Sequence, residues 1–372
     1  MWEVLGGRYL HALIILFPLA CVANAREWGS ASQLALNVLA IIPLPSIVDT
    51  CTLELSAALN PVLGGILHAT FANTTELVLG LVALRYYELQ IVQATVLGNI
   101  LLNLVFFTGC CCFAGGLNHQ YQHYSSLLVS HLSIFAIVLI GILMMPTALA
   151  STTKSTPANG KRHGHDGSLT LGLAIVLLIV YCAYVYFQVS SHANLFDEDE
   201  SPREVEESND ILHPLPTGIL LSCSVCLIVL CTRNILNSIP GMVSDFGVSK
   251  NFIGFIVFPI IANAADFESH ILVARKNRLP LAFGFILATV IQTILFVVPV
   301  LIIAGRIAGM DELKMAFDPV AAIAVFISSL IAVLLLRSTS TTYFEGMLLL
   351  ALYSIIVMTL YDVKEPEGLG PP

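Results

Sequence analysis

Apolar runs long enough to cross a bilayer follow one another along this chain, separated by short polar or turn segments. A hydrocarbon core about 30 Å thick takes a helix of roughly 20 residues. By that ruler eleven runs qualify, at approximately 9–25, 31–58, 61–84, 90–114, 125–149, 168–190, 215–237, 249–274, 280–305, 317–337 and 341–361. Charged residues make up 11% of the 372 and mean hydropathy is +0.86, whereas soluble domains are about 25% charged. A soluble core of this size needs a charged shell that the chain does not have, and lipid removes that need. The expectation is an all-α polytopic membrane protein in direct contact with the lipid bilayer.

Turn residues mark the breaks, as at Arg26-Glu27, Arg85 to Glu88 and Gly115 to His123. The second and third runs are parted by Asn60-Pro61 alone, which predicts a tight helical hairpin. The net charge of −9 is concentrated between Asp197 and Asp210. That stretch reads as a solvated linker or as a cation-attracting surface at the mouth of a pore. No basic patch interleaved with aromatics is present, which argues against nucleic acid as a partner. The nine cysteines all fall in apolar runs and read as small packing residues, not as a disulfide framework. The run from Tyr9 to Ala25 follows a weakly charged start and reads as a first span, not a cleaved leader. Lysines and arginines divide six against nine between the two sides, which leans weakly against a cytosolic N-terminus and does not decide the orientation.

An internal repeat orders these runs. Phe71-Ala72-Asn73-Thr74-Thr75-Glu76 returns 190 residues later as Ile261-Ala262-Asn263-Ala264-Ala265-Asp266. The same offset pairs Gly64 with Gly254, Arg85 with Arg275, Gly98 with Ala288, Asn99 with Thr289 and Gly115 with Gly305. About 50 residues align in this way, as two consecutive spans and their loop. The copies begin at the third and eighth runs, an odd number of spans apart, so they face opposite ways. Inverted repeats with polar residues at mid-membrane are a signature of secondary transporters. The expected architecture is about eleven transmembrane helices, in two inverted five-helix repeats plus an N-terminal helix. Its parts are an N-terminal span (1–30), a first repeat (31–190), an acidic linker (191–212), a second repeat (213–362) and a tail (363–372).

Each repeat places one carboxylate, Glu76 or Asp266, inside an apolar span, with an asparagine three residues earlier on the same helical face. A lone carboxylate there costs roughly 2.5–3.5 kcal/mol on insertion scales, so it turns to a cavity or a partner. A structural hydrogen-bonding role explains one such acid less well when it comes as a repeat-related pair. Two acids surrounded by amides suit a hard divalent cation, which takes six to eight oxygens. Glu76 and Asp266 are the metal candidates. Asn73, Asn263, Thr74, Thr75, Asn99, Asn103, Thr289 and Gln292 are candidate neutral donors. Carboxyl groups held away from water also take up protons more readily. Protons and metal would then compete for the same oxygens, which is the logic of antiport. No nucleophile–base constellation points to an enzyme, and no resident cofactor is expected, the cation being the transported substrate.

The sequence resembles the vacuolar cation/proton exchangers of the calcium exchanger superfamily. The resemblance lies in Leu39 to Leu44, Pro61 to Gly65, Phe71 to Leu77, Val92-Gln93-Ala94-Thr95 through Leu104, and Phe113 to Leu117. It continues in Phe252 to Gly254, Pro259 to Asp266, Ile291-Gln292 and Phe317 to Pro319. It implies a calcium/proton antiporter, or a related divalent-cation exchanger, of an acidic organelle such as the vacuole. Glu76 and Asp266 would alternate between metal and protons, with Gln93 joining the amides above as a cation- or proton-binding residue. Where the family carries glycines this chain has Ala72 and Ala262, which would stiffen segments expected to unwind. Leu53 stands where the family has a first glutamate before Glu54, Arg233 where it has an acid, and Phe267 where it has a histidine. Asp49, Glu54, Arg233 and His270 are therefore candidate modulators, with Asp49 covering for the carboxylate lost at Leu53. Arg233 would either snorkel to an interface or pair with Asp266 and cancel its charge. His270 would stand in for the missing histidine or cap the polar end of its span. His163-Gly164-His165-Asp166 reads as a solvated loop or a transition-metal cluster, and Glu345 as a helix-end residue. The second functional reading is a diverged, transport-poor membrane scaffold or ion sensor of the same fold.

Overall fold

Prolines and asparagines cut the apolar runs into shorter helices. The computed structural model describes residues 16–59, 61–117, 122–123, 126–153, 163–192, 214–310 and 317–362. The acidic run Asp197–Asp210 and His119 lie outside these, as do the side chains of the His163–Asp166 cluster. Helices run over Leu16–Ala25 (α1), Ser30–Ile41 (α2), Leu44–Ala57 (α3), Pro61–Phe71 (α4) and Thr74–Arg85 (α5). Leu89–Gly116 (α6), Leu127–Thr153 (α7) and His163–Tyr186 (α8) complete the first half. The second half holds Pro214–Phe246 (α9), Lys250–Ala262 (α10), Ala264–Arg275 (α11), Leu279–Ile307 (α12), Pro319–Leu336 (α13) and Tyr343–Asp362 (α14).

Among the described residues eight helical segments are long and apolar enough to cross a bilayer, α2 and α3 counting together as one, and α10 and α11 meet at a 63° bend that makes them either one broken span or a re-entrant loop. The run predicted over 61–84 is the interrupted pair α4 and α5, and α1 has ten described residues. This is an integral membrane protein with several spans. Its outward leucines, isoleucines and valines need no water-soluble cover, because lipid is their solvent.

The spans α6 and α12 form the centre, with 83% and 72% of their apolar windows buried. Each changes to a π-helical stretch part-way along, at Leu102–Phe107 and Thr293–Val297. The 190-residue offset superimposes those stretches, and such bulges are frequent at functional sites. On one flank α2 and α3 run antiparallel to α9. Asn234 Nδ2 donates to Asn37 Oδ1 (3.2 Å), Ser30 Oγ to Asp245 Oδ2 (3.4 Å) and Thr217 Oγ1 to Glu54 Oε2 (3.3 Å). These bonds tie the long helices together along their length.

A two-residue ladder pairs β1 (Gln122–His123) with β2 (Ser340–Thr341). Beside it Glu345 accepts from Thr341 Oγ1 (2.7 Å) and from the Thr342 N–H (2.8 Å). It thereby satisfies a donor that the start of α14 would leave open, which is the helix-end role expected of it.

The helices break where the repeat motif lies. Asn73, between α4 and α5, has φ −104° and ψ 26°, and Asn263, between α10 and α11, has φ −107° and ψ 16°. Ala72 and Ala262 were expected to stiffen these segments, and they do not keep the helices continuous. The asparagine, not the alanine before it, carries the non-helical dihedrals.

Candidate cation-binding site

Both breaks lie against the two central spans, and each delivers its carboxylate in the first turn of the half-helix that follows. Glu76 stands in the first turn of α5 and Asp266 in that of α11. Glu76 is 6% exposed and Asp266 is half-buried. Asp266 and Asp49 both lie within electrostatic reach of Glu76.

A network of amides crosses between the halves around them. Asn73 Nδ2 donates to Gln292 Oε1 at 2.6 Å, from the first break to the second central span. Asn263 Nδ2 donates to Asn99 Oδ1 at 2.5 Å, and Asn103 Nδ2 donates to Asn263 Oδ1 at 3.1 Å, from the second break to the first central span. Asn99 Nδ2 closes the set on Thr293 Oγ1 at 3.0 Å. Each break is thus anchored to the other half's central helix. Buried amides of this kind are costly unless paired, and pairing across the halves fixes both breaks relative to one another. One acceptor is left over: Asn103 Oδ1 is buried with no hydrogen-bond partner among the described residues.

Asn73, Asn99, Asn103, Asn263 and Gln292 therefore come together across the two halves. Thr289 does not join them, because its hydroxyl donates to Phe285 O one turn back (3.1 Å). Thr74 likewise donates to Phe71 O (2.6 Å). Thr293 takes the place expected of Thr289, and sequence reasoning missed it. The offset that pairs Asn99 with Thr289 pairs Asn103 with Thr293, and that pairing was the available signal. Gln93 is half-buried on α6. Glu54 is held by Thr217 at the end of α3. No group of three or more His, Cys, Asp or Glu side chains converges to hold a metal among the described residues. A cation here would draw on amide and carbonyl oxygens beside the carboxylates.

For Arg233 and His270 one of the two expected readings falls away in each case. No salt bridge joins Arg233 to Asp266, and Arg233 is exposed. The reason is the face of α9 on which it falls: Thr217, Ser224, Ile228, Cys231, Ile235 and Ile239 are buried, while Arg233 shares the opposite stripe with exposed Ile219 and Leu230. Arg233→Gln is accordingly expected to change divalent-cation affinity by less than about twofold, since separated sites act independently. Calcium titration of the purified chain measures this. His270 does not cap a polar helix end. It is 3% exposed, with its ring 5.6 Å from that of Phe107 and 6.2 Å from that of Phe285. Phe267 stacks beside it on Phe106 (5.9 Å), so the aromatics on this side of α11 make a packed wall.

Comparison with known proteins agrees with this arrangement. The family described as sodium/calcium exchanger protein matches residues 30–190 and 217–361. A vacuolar calcium ion transporter of Schizosaccharomyces pombe is 31% identical over 361 residues, covering 96% of this chain and 86% of its own length. A Ca(2+)/H(+) antiporter of Synechocystis is also 31% identical, covering 94% of this chain and 96% of its own. The solved structure of native YfkE superposes with a TM-score of 0.77 at 25% identity, over 95% of this chain and 99% of that one. With its two breaks, two repeat-related carboxylates and matching fold, the chain belongs to the sodium/calcium exchanger protein family.

Proposed function

We propose that the protein is a secondary active transporter that exchanges calcium, or a related divalent cation, for protons across the membrane of an acidic organelle, the vacuole being favoured by its relatives. The observation that carries this reading is the pair of repeat-related acids, each in the first turn beyond a helix break that is bonded into the opposite half. A cation held between Glu76 and Asp266 displaces their protons, and protons displace the cation. Exclusive occupancy of one set of oxygens couples the two flows without a separate device. Asn103 Oδ1, the acceptor without a partner, supplies a neutral oxygen beside them, and Asn73, Asn99, Asn263, Gln292 and Thr293 hold the geometry. Asp49 adds negative charge from α3.

The transport-poor scaffold reading leaned on Leu53, Arg233 and Phe267. Arg233, on the outer stripe of α9, does not pair with Asp266. The test is calcium uptake by the full chain in sealed vesicles with an acid interior. Uptake that needs the pH gradient and collapses with a protonophore supports exchange. Absence of uptake at every gradient and calcium concentration overturns it.

A further inference from the structure

Most hydroxyls on these helices find a partner within their own helix. Thr52, Thr95, Ser224, Thr232 and Ser328 each donate to the carbonyl one turn back, at 2.6–2.9 Å, a bond that needs no neighbouring helix. Thr108, Ser133 and Ser329 differ. Each is 0% exposed, and its hydroxyl oxygen has no hydrogen-bond partner among the described residues. A buried hydroxyl left unpaired is costly, so three of them together point to a ligand that bonds them.

They stand on three helices around one space. α12 and α13 each pack against both α6 and α7, so the four surround a common axis. Thr108 is on α6, Ser133 on α7 and Ser329 on α13. Two ties set the register of the last two helices. His123 pairs with Ser340 at one end, and the Phe317 N–H donates to Thr147 Oγ1 (3.0 Å) at the other. Counting inward from either tie, Ser329 falls opposite residue 134 or 135, next to Ser133. Gly284 on α12 is buried here, and the nearest atom to its Cβ direction is Leu128 Cδ2 of α7 at 3.8 Å. The interior therefore has room for a group the size of a methyl or a water. Asn103, whose Oδ1 is unpartnered at the cation site, precedes Thr108 on α6. Gln122, 1% exposed with both amide atoms unpartnered, lies against Gly115 at the far end of α6.

We infer that Thr108, Ser133 and Ser329 hold a chain of ordered water between α6, α7 and α13, running from Asn103 toward Gln122, and that protons travel along it apart from the cation. Its use by protons rests on the exchanger reading; the water does not. Water fits these groups because it is small, neutral, and both donates and accepts hydrogen bonds. A hard cation asks for six to eight oxygens with carboxylates among them, which three hydroxyls do not supply. A proton released from Glu76 or Asp266 as the cation binds enters this chain beside Asn103 Oδ1. Each hydroxyl takes a proton on its oxygen as it passes its own to the next water, so every proton that enters at one end leaves at the other and no charge stays on the helices.

Vesicles carrying the full chain separate the two flows. Exchange of isotopic calcium for unlabelled calcium moves no net protons, whereas gradient-driven uptake moves them, as an entrapped pH dye records. Ser133→Ala combined with Ser329→Ala is expected to slow proton-coupled uptake about tenfold, because positioned proton-transfer groups commonly contribute at least that much. Isotopic calcium exchange should stay within about twofold, since sites apart from one another act independently. Thr108→Val, which keeps the shape and removes the hydroxyl, should do the same. Equal loss of both flows, or loss of neither, overturns the separate proton route. Melting temperature in detergent reads the water itself, with Ser354→Ala as reference, since that hydroxyl bonds only its own helix. A hydroxyl buried dry is relieved by alanine, whereas one bonded to water leaves that water short of a partner. Ser329→Ala should therefore melt below the reference, and melting at or above it overturns the water chain. A parent chain that shows neither calcium exchange nor uptake removes the exchanger reading, and the melting comparison still decides the water.

Discussion

Glu76→Gln abolishes gradient-driven calcium uptake while leaving the protein folded. Glutamine keeps the shape of the side chain and can still hydrogen-bond, so the change removes charge and little else. Truncating one member of a buried charged set costs about 2–5 kcal/mol of binding, and every 1.4 kcal/mol is tenfold. Uptake should therefore fall by at least roughly 30-fold. Stability should hold or rise, because a buried carboxylate is a burden that a neutral amide of similar volume relieves. The combination of lost uptake with an unchanged or higher melting temperature separates a ligand from a structural residue. Asp266→Asn should also lose uptake. Asp266→Glu, which restores the longer side chain, should keep it. Uptake that survives Glu76→Gln removes Glu76 from the mechanism.

The positions of the two acids were legible from the sequence because a carboxylate inside an apolar span is conspicuous and the repeat supplies it twice. The membrane class followed from the same pattern, whereas the breaks at Asn73 and Asn263 fall inside runs that read as continuous spans. What could not be read was which amide meets which. Asn73 pairs with Gln292 and Asn263 with Asn99 and Asn103, and those partners lie 160 to 219 residues apart in the chain. The packing of each break against the other half's central span decides them, not any local spacing. Thr289 and Thr293 differ by one helical turn, and the π-helical stretch beginning at Thr293 turns the second inward. A period of 3.6 residues does not foresee that stretch. Arg233 failed for a related reason. Alignment with an acid placed it at the site, but the face that α9 buries is set by its contact with α2, α3 and α5. One residue's rotation on a helix decides whether a charge meets the cavity or the outside.

Gly98→Ala should prevent the chain from folding stably, although a single methyl is the smallest side chain that can be added. Gly98 lies where α6 crosses α10, and a Cβ built there would stand 2.0 Å from the carbonyl oxygen of Phe255. The obstacle is backbone, so no rotamer change can relieve it. Gly254 on the opposing helix is confined less severely, its Cβ direction meeting Ala94 and the Ile91 carbonyl at 3.0 Å. Close approach of backbones through small residues is what holds membrane helices together where no hydrophobic force drives association. Overpacking commonly costs 1–3 kcal/mol, and a contact this short should exceed about 3 kcal/mol, a large part of the 5–15 kcal/mol that holds a typical domain folded. Gly141, on α7 with nothing within 4 Å of its Cβ direction, is the control: Gly141→Ala should be neutral or stabilise by up to about 1 kcal/mol through helix propensity. Size-exclusion profile and melting temperature in detergent measure both. Equal melting of the two variants would show that α6 and α10 can part without cost. The repeat counterpart of Gly98 is Ala288, which already carries the methyl. The two halves are therefore not interchangeable at this crossing, and α6 must approach α10 more closely than α12 approaches α4. The first central span is locked to the second break by backbone contact as well as by Asn99 and Asn103. Asn263, and with it Asp266, is held from two directions.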